Sequence, residues 1–229
     1  MERATILTKS EKTIFKKILE RTVKNKVEIL MILDYEKNYE SSYIAETISI
    51  EMMKLNKNIC FKCLDIKELK SNDFLKLYNF LSKTIKKGPI LTFLKHPNII
   101  FLGFPIGFLF NTFIEELKFI SENTRILPNS LIKKISEINR KIDILILTTS
   151  ICPKSHRVIL LSHKPAFINK NLRSVVVEVS QFPELAKKFN ISMNSDPKII
   201  IKRGRIEKEI SEIPSEESFI EMLSNCLKN

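Results

Sequence analysis

The sequence repeats one order of secondary-structure elements, and this repeat constrains the fold more than any other feature. Apolar periodicity predicts helix, strand, helix, strand, helix, strand, strand, helix, twice, at an offset of about 110 residues. The predicted first series is Lys9–Lys24, Val27–Leu33, Ser42–Leu55, Ile59–Ile66, Asn72–Lys86, Ile90–Leu94, Ile99–Leu102 and Phe108–Ile120. The second series is a helix from Pro128, then Ile142–Leu147, Pro153–Phe167, Val175–Val179, Pro183–Phe189, Lys198–Lys202, Ile206–Ile210 and Ser215–Leu227.

The strands predict a sheet that is covered on both faces. The segment Ile144–Leu147 contains no polar residue, which is typical of a strand with helices packed on both sides. We therefore predict an α/β protein of two tandem domains, each a central mixed β-sheet flanked by helices. The predicted domains are residues 1–124 and 125–229, with Glu122–Leu127 as the linker.

Composition excludes several classes of protein. The chain has 229 residues, 44% of them hydrophobic, which supplies a core and argues against disorder. It holds no run of about 18 apolar residues, so no membrane-spanning helix is expected. Met1–Thr5 shows no secretory leader, and four cysteines are too few for a secreted disulfide scaffold. We therefore expect a cytoplasmic protein.

The net charge of +12 has two interpretations. Single lysines spread along the predicted helices indicate a solvated basic surface. The alternative is an acidic partner, such as a nucleic acid or an anionic membrane, but the basic residues form no arginine-rich stripe with aromatic residues between them. A nucleic-acid adaptor therefore ranks last among the functions considered, and no membrane partner is expected.

A cysteine motif follows the apolar strand of the second half. Cys152-Pro153-Lys154-Ser155 stands where this strand ends and a helix is predicted to begin. At a helix start, unpaired N–H groups and the helix dipole favour the thiolate form of a cysteine, and Lys154 adds a cation. Cys152 is therefore a candidate nucleophile, and the alternative is a structural cysteine buried at the helix start.

The element order and this motif together resemble the archaeal and bacterial protein disulfide oxidoreductases, glutaredoxin-like proteins built from two thioredoxin folds. The stretches that carry the resemblance are Phe101–Gly107, Phe113–Leu117, Thr148–Ser155, Phe182–Ile191 and Pro197–Ile201. The resemblance covers most of the chain in element order and is weak in residues 1–90. It implies two tandem thioredoxin-like domains. It also implies thiol–disulfide exchange with protein or peptide partners, including a reductant similar to thioredoxin reductase.

The chain departs from this family at most of the redox-active positions. Members commonly carry Cys-x-x-Cys in the second domain and often in the first. Here Ser155 replaces the second cysteine, and Ile146 stands where thioredoxins place a buried acid. The matching positions of the first domain are Tyr39, Glu40, Ser41 and Ser42. A mixed disulfide on Cys152 would persist until an outside thiol arrives, because a serine hydroxyl cannot resolve it.

The resemblance also assigns roles around the motif. The residues that would line the substrate groove are Pro153, Lys154, Asp196 and Pro197. Thioredoxin folds place a cis proline at the position of Pro197, and the alternative is an ordinary trans proline at a strand start. Pro89 is the counterpart in the first domain and would keep a peptide groove without redox chemistry. Ser155 can still donate a hydrogen bond to the Cys152 thiolate.

The other cysteines have structural interpretations. Cys60 and Cys63 form a literal Cys-x-x-Cys inside a predicted strand. Residues i and i+3 of a strand point to opposite faces and stand about 10 Å apart, which is too far for a disulfide. We therefore predict that both fill the core, and that Cys226 packs in the last helical turn.

The histidines complete the set of candidate groups. His156 either stabilises the thiolate as a cation or is exposed without a role. His163 and His96 are expected to meet neither a cysteine nor a carboxylate. The sequence contains no Gly-rich phosphate loop, zinc signature or Ser-His-Asp arrangement, so no cofactor or metal is expected.

Two functions of different classes remain besides the nucleic-acid adaptor. The first is a thiol–disulfide exchange protein that works as a monothiol oxidoreductase or isomerase through Cys152. The second is a catalytically inactive thioredoxin-fold binding or scaffold protein, which the loss of the other active-site cysteines favours. We favour exchange, because the remaining cysteine keeps its place after a buried strand.

Overall fold

The computed structural model describes residues 7–68, 87–192, 194–210 and 212–225. The helices are α1 (Lys9–Thr22), α2 (Tyr39–Leu55), α3 (Phe108–Glu122), α4 (Asn129–Ser136), α5 (Ser155–Ile168), α6 (Pro183–Lys188) and α7 (Glu216–Asn225). The strands are β1 (Val27–Leu33), β2 (Ile59–Asp65), β3 (Ile90–Phe93), β4 (His96–Leu102), β5 (Ile142–Thr148), β6 (Leu172–Glu178), β7 (Lys198–Arg203) and β8 (Ile206–Ile210). The predicted helix Asn72–Lys86 and Cys226 lie outside the described residues.

The strands form one mixed sheet in the order β2-β1-β3-β4-β6-β5-β7-β8. Each half contributes the same arrangement, a parallel pair followed by two antiparallel pairs. β4 and β6 pair in parallel, from Ile99 with Ser174 to Leu102 with Val177, and join the halves. The sequence predicted a central sheet in each half, and the structure fuses the two sheets into one because each half offers an unpaired edge strand to the other.

The strand directions bring the carboxyl ends of six described strands to one edge of the sheet. The strands that run in the same direction are β1, β2, β4, β5, β6 and β8. Their carboxyl ends therefore share an edge, which we call the carboxyl edge. The loops after β1 and β5, which hold the candidate sites of the two halves, both lie there.

Both faces of the sheet are buried, as the apolar strands predicted. Ile144 and Ile146 belong to a large core that also contains residues of all helices except α6. Leu145 and Leu147 belong to a second core on the other face, together with Leu185 of α6. Alternate residues of one strand thus enter different cores, as the pleat of a strand requires.

The helices show two shifts from the predicted bounds that concern the sites. α2 begins at Tyr39 instead of Ser42, and α5 begins at Ser155 instead of Pro153. Within the described part of the chain, no helix is both long and apolar enough to cross a membrane.

Candidate functional site

The loop between β5 and α5 carries Cys152 at the carboxyl edge. The Cys152 N–H donates to the carbonyl of Thr149, and the Cys152 carbonyl accepts from the Ser155 N–H, both at 3.2 Å. Cys152 therefore stands in a turn three residues before the start of α5, and not directly before the helix as predicted. Pro153 favours a non-helical Cys152, because a proline disfavours the helical conformation in the residue that precedes it.

Cys152 is a nearly covered thiol beside an exposed apolar surface. Only 8% of its surface is accessible, and it is not part of a disulfide. The neighbouring Ile151 is 54% exposed. Phe108, the first residue of α3, is 45% exposed and donates its N–H to the Ser150 carbonyl at 2.8 Å. Both halves of the chain therefore contribute apolar side chains next to the Cys152 loop.

Ser155 makes a different bond from the predicted one. Its buried hydroxyl lies 2.6 Å from the Thr148 hydroxyl and 3.2 Å from the Thr149 carbonyl. The predicted donation to the Cys152 thiolate is therefore wrong, because a hydroxyl has one hydrogen and these two oxygens at the end of β5 already surround it.

Ser42 occupies the equivalent place in the first half. Its buried hydroxyl donates to the Asp34 carbonyl at 3.1 Å and accepts from the Asp34 N–H at 2.9 Å. Asp34 directly follows β1, as Thr149 follows β5. A serine thus ties the start of a helix to the end of a strand in both halves, so the fourth motif position has a structural role in this chain.

The loop before β7 reaches the motif through an ion pair. Lys154 Nζ lies 2.8 and 2.7 Å from the two carboxylate oxygens of Asp196. Both side chains are exposed, and the carboxylate of Asp196 offsets the cation that was predicted to favour the thiolate. Pro197 is buried and directly precedes β7, whose Lys198 pairs with Leu147. Among the described residues the cis peptide bond is Gly88–Pro89, so Pro197 follows the trans alternative.

The first-half positions form a tyrosine surface. Tyr39 is 62% exposed, and its ring stacks on Tyr43 with centroids 6.1 Å apart. The Tyr35 ring also packs against Tyr39, in a tilted arrangement with centroids 5.9 Å apart. Glu40 and Ser41 occupy the first turn of α2, and Pro89 is buried before β3. The half without a motif cysteine thus presents aromatic rings at the place that corresponds to the Cys152 loop.

The predicted placement of Cys60 and Cys63 is confirmed, since both lie in β2 and neither forms a disulfide. They are half-buried, however, and not fully inside the core as predicted, because β2 is an edge strand of the sheet.

Sequence reasoning missed Glu178, which holds the Cys152 loop, and Gln181, which bonds Glu178. Glu178 ends β6 with 1% of its surface exposed, and its Oε1 accepts from the Ser150 N–H at 3.0 Å. Its Oε2 accepts from the Gln181 N–H at 3.0 Å. The Gln181 carboxamide in turn bonds the N–H and the carbonyl of Phe104 at 3.0 and 2.8 Å. The sequence signal that could have identified Glu178 is a single acidic residue at the end of a predicted apolar strand.

The histidines point toward the first half, and two expectations for them are wrong. His156 lies 3.1 Å from the Thr112 hydroxyl and 3.2 Å from the Glu115 carboxylate, so it neither serves Cys152 nor lacks a role. His163 Nδ1 lies 2.6 Å from Oε1 of Glu116, and both side chains are fully buried. The reason is tertiary, since α5 packs on α3 and brings groups distant in sequence together.

The buried pair changes the titration of Glu116. Burial raises the pKa of the Glu116 carboxyl above its ordinary value, and the charge and hydrogen bond of His163 act in the opposite direction. Oε2 of Glu116 and Nε2 of His163 are buried without a hydrogen-bond partner among the described residues. The pair therefore links the two halves, and the free-energy cost of burying it depends on whether the Glu116 carboxyl is protonated.

Solved structures share this architecture over the whole chain. The alkylhydroperoxide reductase AhpF of Enterococcus faecalis V583, as its C503A mutant, is 23% identical with a TM-score of 0.75, and covers 95% of this chain and 99% of its own. The NTD_N/C domain of the same protein is 24% identical, with the same TM-score and coverage. A protein disulfide oxidoreductase from Aeropyrum pernix K1 is 20% identical with a TM-score of 0.76, and covers 99% of this chain and 97% of its own.

No protein-family model matches the sequence, and a search of curated proteins finds no match. The similarity to solved structures confirms the predicted fold class of tandem thioredoxin folds and the predicted structural resemblance to protein disulfide oxidoreductases. At these identities the comparison establishes the fold, and the chemistry has to be argued from the site.

Proposed function

We propose that this protein, whose fold is shared with the redox proteins named above, exchanges thiols and disulfides through Cys152 as a monothiol enzyme. One observation carries the proposal. Cys152 is the cysteine that the described structure places in a loop at the carboxyl edge, beside the exposed Ile151 and Phe108. Cys60 and Cys63 lie inside a strand instead.

The exchange needs no second cysteine in this chain. The Cys152 thiol loses its proton to solvent, and the thiolate attacks one sulfur of a substrate disulfide. A bond forms between Cys152 and that sulfur while the substrate disulfide breaks, and the other substrate sulfur leaves as a thiolate. A free thiol of the same substrate then attacks the substrate sulfur of the mixed disulfide and releases Cys152 as a thiolate. The substrate keeps its number of disulfides, so no net oxidant or reductant is consumed.

The surroundings of Ser155 support isomerisation over net oxidation. Its hydroxyl is held by Thr148 and Thr149 and is not a nucleophile at neutral pH. When the substrate offers no second thiol, an outside thiol has to release Cys152. A small thiol or a reductant similar to thioredoxin reductase would release it. The cytoplasm supplies both kinds of reductant, and we therefore propose that the protein works there.

A binding or scaffold protein without redox chemistry is the second candidate function. The stack of the exposed Tyr39 on Tyr43 favours this function. These rings lie at the carboxyl edge, in the half that has no motif cysteine. Such an aromatic surface is suited to binding a partner and not to disulfide exchange. In that case Cys152→Ala leaves partner binding unchanged.

The test of the proposed function is the refolding of a protein with scrambled disulfides, in a buffer containing a small thiol. We expect Cys152→Ala to lose the accelerated recovery of native substrate, because the attacking sulfur is gone. Cys60→Ala is the matched control, since it removes a half-buried thiol from β2 and should keep the wild-type rate. Equal acceleration by wild type and Cys152→Ala would contradict the proposal.

A further inference from the structure

An apolar groove of about 380 Å³ lies among α1, α2 and the start of α3. The apolar side chains that line it include Ile14, Phe15, Ile18, Ile48, Ile106 and Phe110. Its size is at the lower end of the range for ligand pockets, about 300–1,000 Å³, so it accommodates a few side chains and not a folded domain.

The groove leaves apolar surface of α1 uncovered. Ile14 and Ile18 stand one helical turn apart and are 61% and 42% exposed, although Leu19 on the same helix is fully buried. Phe15 reaches inward and packs on Phe110 with ring centroids 5.5 Å apart. A contiguous exposed apolar patch of this kind marks a binding site more often than chance exposure does.

The groove lining is apolar except for Glu11 among the described residues. Oε2 of Glu11 accepts from the N–H and the hydroxyl of Thr8, both at 2.7 Å, so these bonds hold the carboxylate in the capping box of α1. The other described lining side chains can offer only apolar contacts, and the occupant is therefore expected to be apolar.

One end of the groove meets the Cys152 loop directly. Gly107 lines the groove with a positive φ of 57°, and a Cβ on it would stand 2.3 Å from the Ser150 carbonyl oxygen. The next residue, Phe108, donates its N–H to the same oxygen. Ser150 precedes Cys152 by two residues, a chain length of at most about 7 Å. The end of the groove at Gly107 therefore lies close to the loop that carries Cys152, with the exposed Phe108 and Ile151 beside that loop.

We propose that this groove binds apolar side chains near a cysteine of the substrate polypeptide, while Cys152 attacks the disulfide of that cysteine. The inference rests on the proposed function and specifies its substrate class. Apolar residues around a disulfide are buried in a native protein and exposed in an incompletely folded one. The substrates are therefore polypeptides with non-native disulfides, which are the molecules that an isomerase has to select.

The test compares two peptides, each with one cysteine joined to glutathione in a disulfide. One peptide has leucines beside the cysteine, and the other has serines at the same positions. We expect the wild-type chain to react with the leucine peptide about tenfold faster, as the burial of a large apolar side chain implies. Ile14→Asp should reduce this ratio to about one, because it places a charge in the groove without disturbing the core.

Ile206→Asp is the matched control. Ile206 is 52% exposed and lies on β8, the outermost strand of the second half. This variant should therefore keep the preference for the leucine peptide. Glutathione disulfide alone should react at the same rate with wild type and both variants, because it does not fill the groove. An equal preference in wild type and Ile14→Asp would overturn the inference.

Binding of the S-alkylated leucine peptide separates the groove from the redox chemistry. If this peptide binds to wild type and to Ile206→Asp but not to Ile14→Asp, the groove is the binding site. This result would stand even if glutathione disulfide fails to react and the proposed function is rejected. If wild type instead forms a dimer that Ile14→Asp dissociates, and the peptide does not bind, the groove belongs to a second copy of the chain and the inference fails.

Discussion

Replacement of Glu116 by alanine is expected to lower the free energy of unfolding by about 1 to 3 kcal/mol, the range for leaving a buried polar group without its hydrogen-bond partner. Glu116 and His163 are fully buried, and their side chains join α3 of the first half to α5 of the second. The substitution leaves the His163 ring without its partner and opens a cavity. Urea unfolding followed by circular dichroism measures the change.

Glu115→Ala is the matched control for this prediction. Glu115 is the neighbouring residue of α3, pairs with His156 at 3.2 Å, and is 43% exposed at its side chain. Exposed ion pairs contribute about 0 to 1 kcal/mol, so this variant should be close to wild type. Similar losses in Glu115→Ala and Glu116→Ala would show that the buried pair contributes no more than an exposed one.

The pH dependence of the same pair has a defined sign. The folded pKa of Glu116 is raised above its ordinary value of 4.5, so the unfolded chain releases this proton at a lower pH than the folded chain does. The contribution of Glu116 is therefore complete below pH 4.5 and is lost as the pH rises through its folded pKa. We expect the free energy of unfolding of wild type, relative to that of Glu116→Gln, to fall as the pH rises from 4.5. A rise would contradict the raised pKa of Glu116.

Gly107→Ala is expected to produce the second large effect, a loss of stability together with slower exchange at Cys152. An added Cβ would stand 2.3 Å from the carbonyl oxygen of Ser150, which is a backbone atom and cannot swing aside. Either the loop that carries Cys152 or the start of α3 has to move. Thermal unfolding and the reaction rate with glutathione disulfide measure the two consequences.

Gly204→Ala separates the clash from the positive φ. Gly204 has φ at 58°, close to that of Gly107, but a Cβ there would meet nothing within 4 Å. A positive φ costs a non-glycine residue about 1–3 kcal/mol. Overpacking costs about 1–3 kcal/mol, so Gly107→Ala should lose about 2 kcal/mol more than Gly204→Ala. Equal losses would mean that the contact with Ser150 does not constrain the loop.

Local patterns were sufficient to predict the order of the described elements and the position of Cys152 after a buried strand. Ile144–Leu147 lies in β5 with both faces covered, because an uninterrupted apolar run has no side that favours contact with water. The repeat of one element order also predicted that the two halves would have the same sheet topology. These features depend on residues that are close in sequence.

The rest depended on contacts between residues that are far apart in sequence. The pairing of β4 with β6 fuses the two sheets, and no periodicity shows which edges will meet. His156 and His163 bond to α3 because two helices from different halves pack together. Ser155 bonds the end of β5 and not Cys152, since its rotamer and the path of the loop decide which oxygen it meets.

The most direct measurement of the central claim is the location of the mixed disulfide after the native protein reacts with glutathione disulfide. Peptide mapping by mass spectrometry identifies which cysteine carries glutathione. We expect the adduct to form first on Cys152, ahead of Cys60 and Cys63 in β2. An adduct that reaches Cys60 or Cys63 first, while Cys152 stays unmodified until the protein is unfolded, would contradict it.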